Sequence, residues 1–179
     1  MIIIGDNLQA LMKQHDIVTT SSCFDTFSIT LHLDPQIITI QPTASDPHAV
    51  TYGESIPQSW TKTVSMPATG HVVESKGAFL ACSSEKVTIP DGYFGFIQTK
   101  GSLARLFVQV QCCDGQIEPG YSGKVTFEIC NHAPFPVRLK PGQPVAQLFI
   151  FKASTKGVSP YDGSYQGAKA PTMPKEFGL

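Results

Sequence analysis

Three polar groups with close spacing stand out in residues 100–131 of a chain otherwise built of short apolar runs. Lys100-Gly101-Ser102-Leu103-Ala104-Arg105 is a turn that ends in a guanidinium. Glu118-Pro119-Gly120-Tyr121-Ser122-Gly123 is a second turn carrying a carboxylate. The strand-like run Lys124 to Asn131 holds a carboxylate, Glu128, at its middle. Val125, Phe127 and Ile129 alternate to one face of that run, which leaves Thr126, Glu128 and Cys130 on the other. An outward Glu128 would be ordinary solvated surface. An inward one needs a partner, because carboxylates are rarely buried unpaired. Arg105 is the candidate, and a carboxylate held inside beside a guanidinium is a group poised to handle a proton.

The elements that must position these groups read as β-strands. From residue 70 the strand candidates are His71–Ser75, Ala78–Ser83, Tyr93–Gln98, Leu106–Gln111, Lys124–Asn131, Pro136–Leu139 and Ala146–Lys152. Pro90-Asp91-Gly92, Pro119-Gly120 and Pro141-Gly142 separate several of them, and Pro-Gly dipeptides are turn formers. Phe27–Leu33 and Gln36–Ile40 add two earlier strands, joined through Asp34-Pro35. Short strands at this rhythm predict an all-β sandwich or closed barrel. One helix is expected, capped by Asp6, with Leu8, Leu11 and Met12 on its apolar face and its end near Asp16.

At 179 residues the chain suits one domain, 1–179. Residues 43–69 are polar and read as a long connection or insertion with one short strand at Lys62–Ser65. Residues 153–179 are rich in Gly, Ser, Pro and Lys, with Tyr161 and Tyr165 interspersed. Such a tail either frays or closes as a flexible lid.

With 13 basic and 14 acidic residues and no basic stripe, nucleic acid is not an expected partner. No apolar run approaches a membrane span, and Met1-Ile2-Ile3-Ile4 is too short for a signal peptide. The five cysteines include no C-x-x-C, which argues for a reducing cytoplasm and against a zinc site. His15, His32, His48, His71 and His132 build no H-x-E followed by P-C-x-x-C, the signature of zinc-dependent base deaminases. A P-loop, G-x-G-x-x-G and G-x-S-x-G are also absent.

Taken in order, K-G-S-L-A-R, I-E-P-G-Y-S-G, K-V-T-F-E-I-C-N and L-K-P-G-Q-P-V-A-Q-L-F-I resemble the dCTP deaminase family of the trimeric dUTPase-like superfamily. The likeness is best over about residues 85–170 and weaker at Asp25–Leu33. It implies a distorted jelly roll (the β-clip, dUTPase-like fold) with a short N-terminal helix, assembled as a homotrimer with sites at subunit interfaces. It further implies that Glu128 is the general acid/base, that Arg105 orients it, and that no metal activates the water. Lys100, Gly101, Ser102, Leu103 and Ala104 match the triphosphate-binding segment, whose amides could form a phosphate nest. Mg²⁺ would ride on the triphosphate. Thr126 and Phe127 match base-pocket positions, Glu118 the carboxylate at the sugar, and Tyr161 a tail tyrosine that reaches the nucleotide.

Several positions depart from the family pattern. Lys100 replaces an arginine, and Gly101 replaces a serine whose hydroxyl orients the water. Asp114 brings an extra carboxylate to the base edge, Glu118 is longer than the usual aspartate, and Ser164 and Ala168 replace a tail lysine and glutamine. Lys169 is the nearest substitute for the lost charge. The expected reaction is dCTP to dUTP and ammonia. A catalytically inactive nucleotide-binding relative and a dUTPase-type pyrophosphohydrolase, bifunctional or not, stay open beside it.

Overall fold

A computed structural model describes residues 1–42, 49–111, 113–157 and 159–177. In chain order the elements are β1 (Ile2–Ile3), α1 (Gly5–His15), β2 (Phe24–Asp25), β3 (Ser28–His32), β4 (Gln36–Ile40), β5 (Thr61–Ser65), β6 (His71–Val73) and β7 (Ala78–Thr88). They continue with β8 (Tyr93–Thr99), α2 (Gly101–Ala104), β9 (Val108–Gln109), β10 (Gln116–Ile117), β11 (Ser122–Asn131), β12 (Val137–Leu139) and β13 (Pro144–Lys152). One sheet runs β10-β8-β13-β3-β2 with β1 also on β13, a second runs β5-β4-β7-β11-β9, and β12-β6 is a small third ribbon.

The all-β expectation holds because the strand faces are apolar where they meet. Ile29, Leu31, Ile97, Leu148 and Ile150 of the first sheet join Ile37, Phe79, Ala81, Phe127 and Ile129 of the second in one buried cluster. Full burial of each large aliphatic or aromatic side chain contributes about 1.5–3 kcal/mol. Leu8, Leu11 and Met12 of α1 join the same cluster. The helix ends as expected at Asp16, in the left-handed conformation with its N–H on Met12 O. Its start differs: Ile4 is the N-cap, with no side-chain cap bond, and Asp6 lies within the first turn. There the carboxylate acts through the helix dipole instead.

A bulge shapes the centre of the second sheet. Lys124 pairs with Lys86, but Thr126 pairs with Cys82, so Ser83, Ser84 and Glu85 stand opposite Val125 alone. Ser83 Oγ donates to Glu85 O at 2.7 Å and accepts the Val125 N–H at 2.9 Å. Bulges re-aim the side chains around them. Val125 therefore leaves the inner face that simple alternation gives it and is only half-buried.

At the far end of β11, buried Asn131 donates from Nδ2 to the carbonyls of Val73, Glu74 and Phe135, and its Oδ1 accepts the Ala133 N–H. Within 43–69, residues 43–48 lie outside the described residues. The rest places a buried Trp60 ahead of β5, which pairs with β4. No helix among the described residues is long and apolar enough to cross a membrane.

The described residues of the tail bond to the body of the fold. Tyr161 N–H bonds Pro119 O (2.8 Å), Gly167 N–H bonds Ser122 O (2.9 Å), and Lys124 N–H bonds Ala168 O (2.7 Å). Gly120 and Gly123 permit this approach. A Cβ on Gly120 would sit 2.5 Å from Pro160 Cβ, and one on Gly123 would sit 2.8 Å from Ala168 N.

Candidate active site

Glu128 stands on β11 opposite Leu80 of β7 and forms a parallel bridge with Gln111 on its other side. Its side chain enters a cleft of about 480 Å³. The strands supply Leu80, Val125 and Thr126; the segment around β10 supplies Asp114, Ile117 and Glu118. The tail closes the cleft with Tyr161, Tyr165 and Thr172.

Glu128 Oε2 is buried with no hydrogen-bond partner. Burial pushes the carboxyl above its ordinary value; the backbone N–H of Asp114 works against the shift and the Asp114 charge adds to it. The physical basis is that a charge leaving water loses hydration, and a like charge nearby makes ionisation harder still. Such a group holds a proton more readily than a surface glutamate does. An unpartnered buried oxygen is also where a further donor would fit.

Asp114 is fixed by its own chain. Its Oδ1 accepts the Gln116 N–H at 3.2 Å, an Asx-type turn, while Gly115 O accepts the Ile97 N–H at 2.6 Å. Tyr161 packs edge-on against Tyr121, with ring centroids 5.7 Å apart at 62°. Tyr121 itself is buried and donates from its hydroxyl to Lys124 O at 2.7 Å. The result is a slot with aromatic and aliphatic walls and carboxylates at its polar end, suited to a flat heterocycle with exchangeable hydrogens.

Of the residues expected to make the site, Glu128, Thr126, Asp114, Glu118 and Tyr161 converge on this cleft. Others stand elsewhere in the chain. Phe127 is 0% exposed and belongs to the core, so its ring does not face the cleft. Lys169 lines a separate, open depression with Lys86 and Lys124. Arg105 is exposed and donates from Nη1 to Gly101 O at 2.8 Å, within its own turn. The Lys100–Ala104 segment is a short helical turn whose Leu103, Ala104 and Arg105 amides bond back to Lys100 and Gly101 carbonyls. No basic residue stands among the described residues lining the cleft.

Sequence reasoning missed Gln116, Thr172 and Pro174 as cleft residues. Tyr165 was visible only as a second tail tyrosine. No local pattern marks Thr172; its place follows from the path of the tail along β11, where its hydroxyl meets that of Thr126 at 2.9 Å.

Residues 2–153 match the family model described as dCTP deaminase-like. A "dCTP deaminase, dUMP-forming" of Streptomyces griseus subsp. griseus is 34% identical over 123 residues, covering 65% of this chain and 64% of that protein. The protein of the same name from Salinispora arenicola is 38% identical over 123 residues with the same coverage. The chain thus spans somewhat less than two thirds of the length of these curated relatives. The crystal structure of 2'-deoxycytidine 5'-triphosphate deaminase from Agrobacterium tumefaciens shares the fold, with a TM-score of 0.63 at 18% identity, over 83% of this chain and 46% of that one.

Proposed function

Because this chain belongs to the dCTP deaminase-like family, we propose that its cleft takes the cytosine of dCTP and replaces the exocyclic amine with oxygen, Glu128 serving as general acid/base. The observation that carries this reading is the buried, unpartnered Oε2 of Glu128 with the raised carboxyl affinity for a proton. Water attacks the ring carbon bearing the amine; Glu128 takes the water's proton and passes protons to the ring nitrogen and to the departing ammonia. No histidine or cysteine stands among the described lining residues; the ionisable groups there are carboxylates and tyrosine hydroxyls, and of these Glu128 is the buried carboxylate.

The relatives are named dUMP-forming, which replaces the expected dUTP product in this reading with dUMP. A second water then cleaves the bond to the α-phosphorus and releases pyrophosphate. Glu118, at the cleft rim near the tail tyrosines, is the carboxylate assigned to the sugar side and to this second water. Mg²⁺ enters with the substrate, on triphosphate oxygens.

A triphosphate requires cations that the cleft of one protomer lacks. The reading therefore places the Lys100–Arg105 turn of a neighbouring copy over the cleft, in a homotrimer. Leu106 and Phe107, directly after that turn, are 43% and 64% exposed and would be covered by such a contact. A second reading, nucleotide binding without turnover, is favoured by one observation: Gly101 offers no hydroxyl to hold a water.

Incubation of the purified protein with dCTP and Mg²⁺, following ammonia and pyrophosphate together, tests both. The reading predicts equal amounts of the two. Ammonia alone would return the product to dUTP. Neither product, with a melting temperature raised by dCTP, would favour the binding protein.

A further inference from the structure

We propose that Cys23, His32 and Glu85 form a zinc-binding site separate from the cleft. Cys23 ends the short 3₁₀ turn before β2, His32 ends β3, and Glu85 stands in the bulge of β7. Cys23 Sγ lies 3.6 Å from Glu85 Oε1, and His32 Nδ1 lies 2.6 Å from the same oxygen. All three ligand atoms fall within 4.8 Å of one another. None of the three residues lines the cleft.

Zinc bonds of about 2.0–2.3 Å in a tetrahedron set ligand atoms roughly 3.3–3.7 Å apart. The thiol and carboxylate already stand at that separation. The imidazole and carboxylate, now hydrogen-bonded, would open by roughly 1 Å to admit the ion. Glu85 is held for the purpose from behind: its Oε2 accepts the His32 backbone N–H at 3.0 Å. Such outer hydrogen bonds orient metal ligands. The Glu85 side chain is 8% exposed and that of His32 is 28% exposed, so the site is walled on one side and open to solvent through the imidazole.

The ligand set selects the ion. A thiolate disfavours Mg²⁺ and Ca²⁺, whereas a sulfur, a nitrogen and an oxygen together suit Zn²⁺, with water at the fourth position. On binding, the Cys23 thiol proton passes to solvent and the His32 ring carries its proton on Nε2, leaving Nδ1 to the metal. Thiolate and carboxylate then balance the dication. Glu85 lies 62 and 53 residues from Cys23 and His32 along the chain, and those two make no short paired-cysteine motif, so no local signature announces the set. The expectation of a zinc-free protein rested on motif spacing alone.

Metal-stripped full-length protein titrated with Co²⁺, then Zn²⁺, tests the proposal. One equivalent of Co²⁺ should produce a sulfur-to-cobalt charge-transfer band that Zn²⁺ bleaches, and Zn²⁺ should raise the melting temperature. Cys23→Ser should abolish the band. His32→Ala should weaken Zn²⁺ binding by more than about 100-fold, beyond the effect of losing an outer partner, and should lower the metal-free melting temperature because Glu85 Oε1 loses its imidazole partner. Absence of the band from the parent protein, its survival in Cys23→Ser, or unchanged affinity in His32→Ala would each overturn the site.

Discussion

Thr126 Oγ1 accepts the backbone N–H of Thr172 at 3.1 Å and meets the Thr172 hydroxyl at 2.9 Å, so one side chain on β11 fastens the tail two residues from Glu128. Thr126→Val removes both bonds, whereas Thr172→Val removes only the hydroxyl pair. Each neutral hydrogen bond is worth about 0.5–1.5 kcal/mol. Under the proposed reaction, KM for dCTP should rise in both variants and more in Thr126→Val. Limited proteolysis within 159–177 should accelerate in the same order.

Gly123 makes a stronger demand on the same contact. Its absent Cβ would lie 2.8 Å from Ala168 N and 3.0 Å from the Tyr121 hydroxyl. Gly123→Ala should break the Lys124–Ala168 backbone bond and release the tail, with proteolysis faster than in Thr172→Val. The global melting temperature should fall by only a few degrees, since a loss of 1 kcal/mol moves a chain of this size about 2–4 °C.

The raised proton affinity of Glu128 fixes a sign for pH and stability. A carboxyl that binds its proton more tightly folded than unfolded makes the unfolded state the poorer proton binder. Its contribution is therefore greatest below the ordinary glutamate value and is lost as pH rises from there through the folded value. Glu128→Gln, which cannot ionise, should melt higher than the parent at neutral pH. The advantage should vanish as the pH falls below the ordinary carboxylate range. Paired melting curves across pH check this.

Asp114 raises the Glu128 carboxyl through its charge, while its Oδ1 shapes the loop. Asp114→Asn keeps an oxygen for the Gln116 N–H and removes the charge. If Glu128 must be ionised to accept the water's proton, the acidic limb of the kcat/KM profile for dCTP should move to lower pH in this variant.

Alternation or clustering of apolar residues located most strands; β4 runs over Gln36–Ile40 as expected, from a cluster of isoleucines. Alternation failed at Val125, where three residues of β7 oppose one of β11 and the face changes. It also overextended Leu106–Gln111, where the strand is only Val108–Gln109, Gln111 makes an isolated bridge to Glu128, and Phe107 takes a positive φ of 57°. Glu128 was legible as a misplaced carboxylate because apolar neighbours on both sides commit its strand to a sheet. Arg105 was assigned to Glu128 from chain order, which says which turn a side chain leaves from and not where it ends; within its own chain it bonds to Gly101 O. Thr172 and the Cys23–His32–Glu85 cluster were illegible: their partners are set by the path of the tail and by the bulge.

The role of Glu128 is tested most directly by ammonia release from dCTP in Glu128→Gln. The amide preserves shape but cannot carry protons, and general acid/base groups contribute about 10²–10⁴-fold. Ammonia release should fall by that factor or more while dCTP still raises the melting temperature. Ammonia release at the parent rate in a folded Glu128→Gln protein would contradict the assignment.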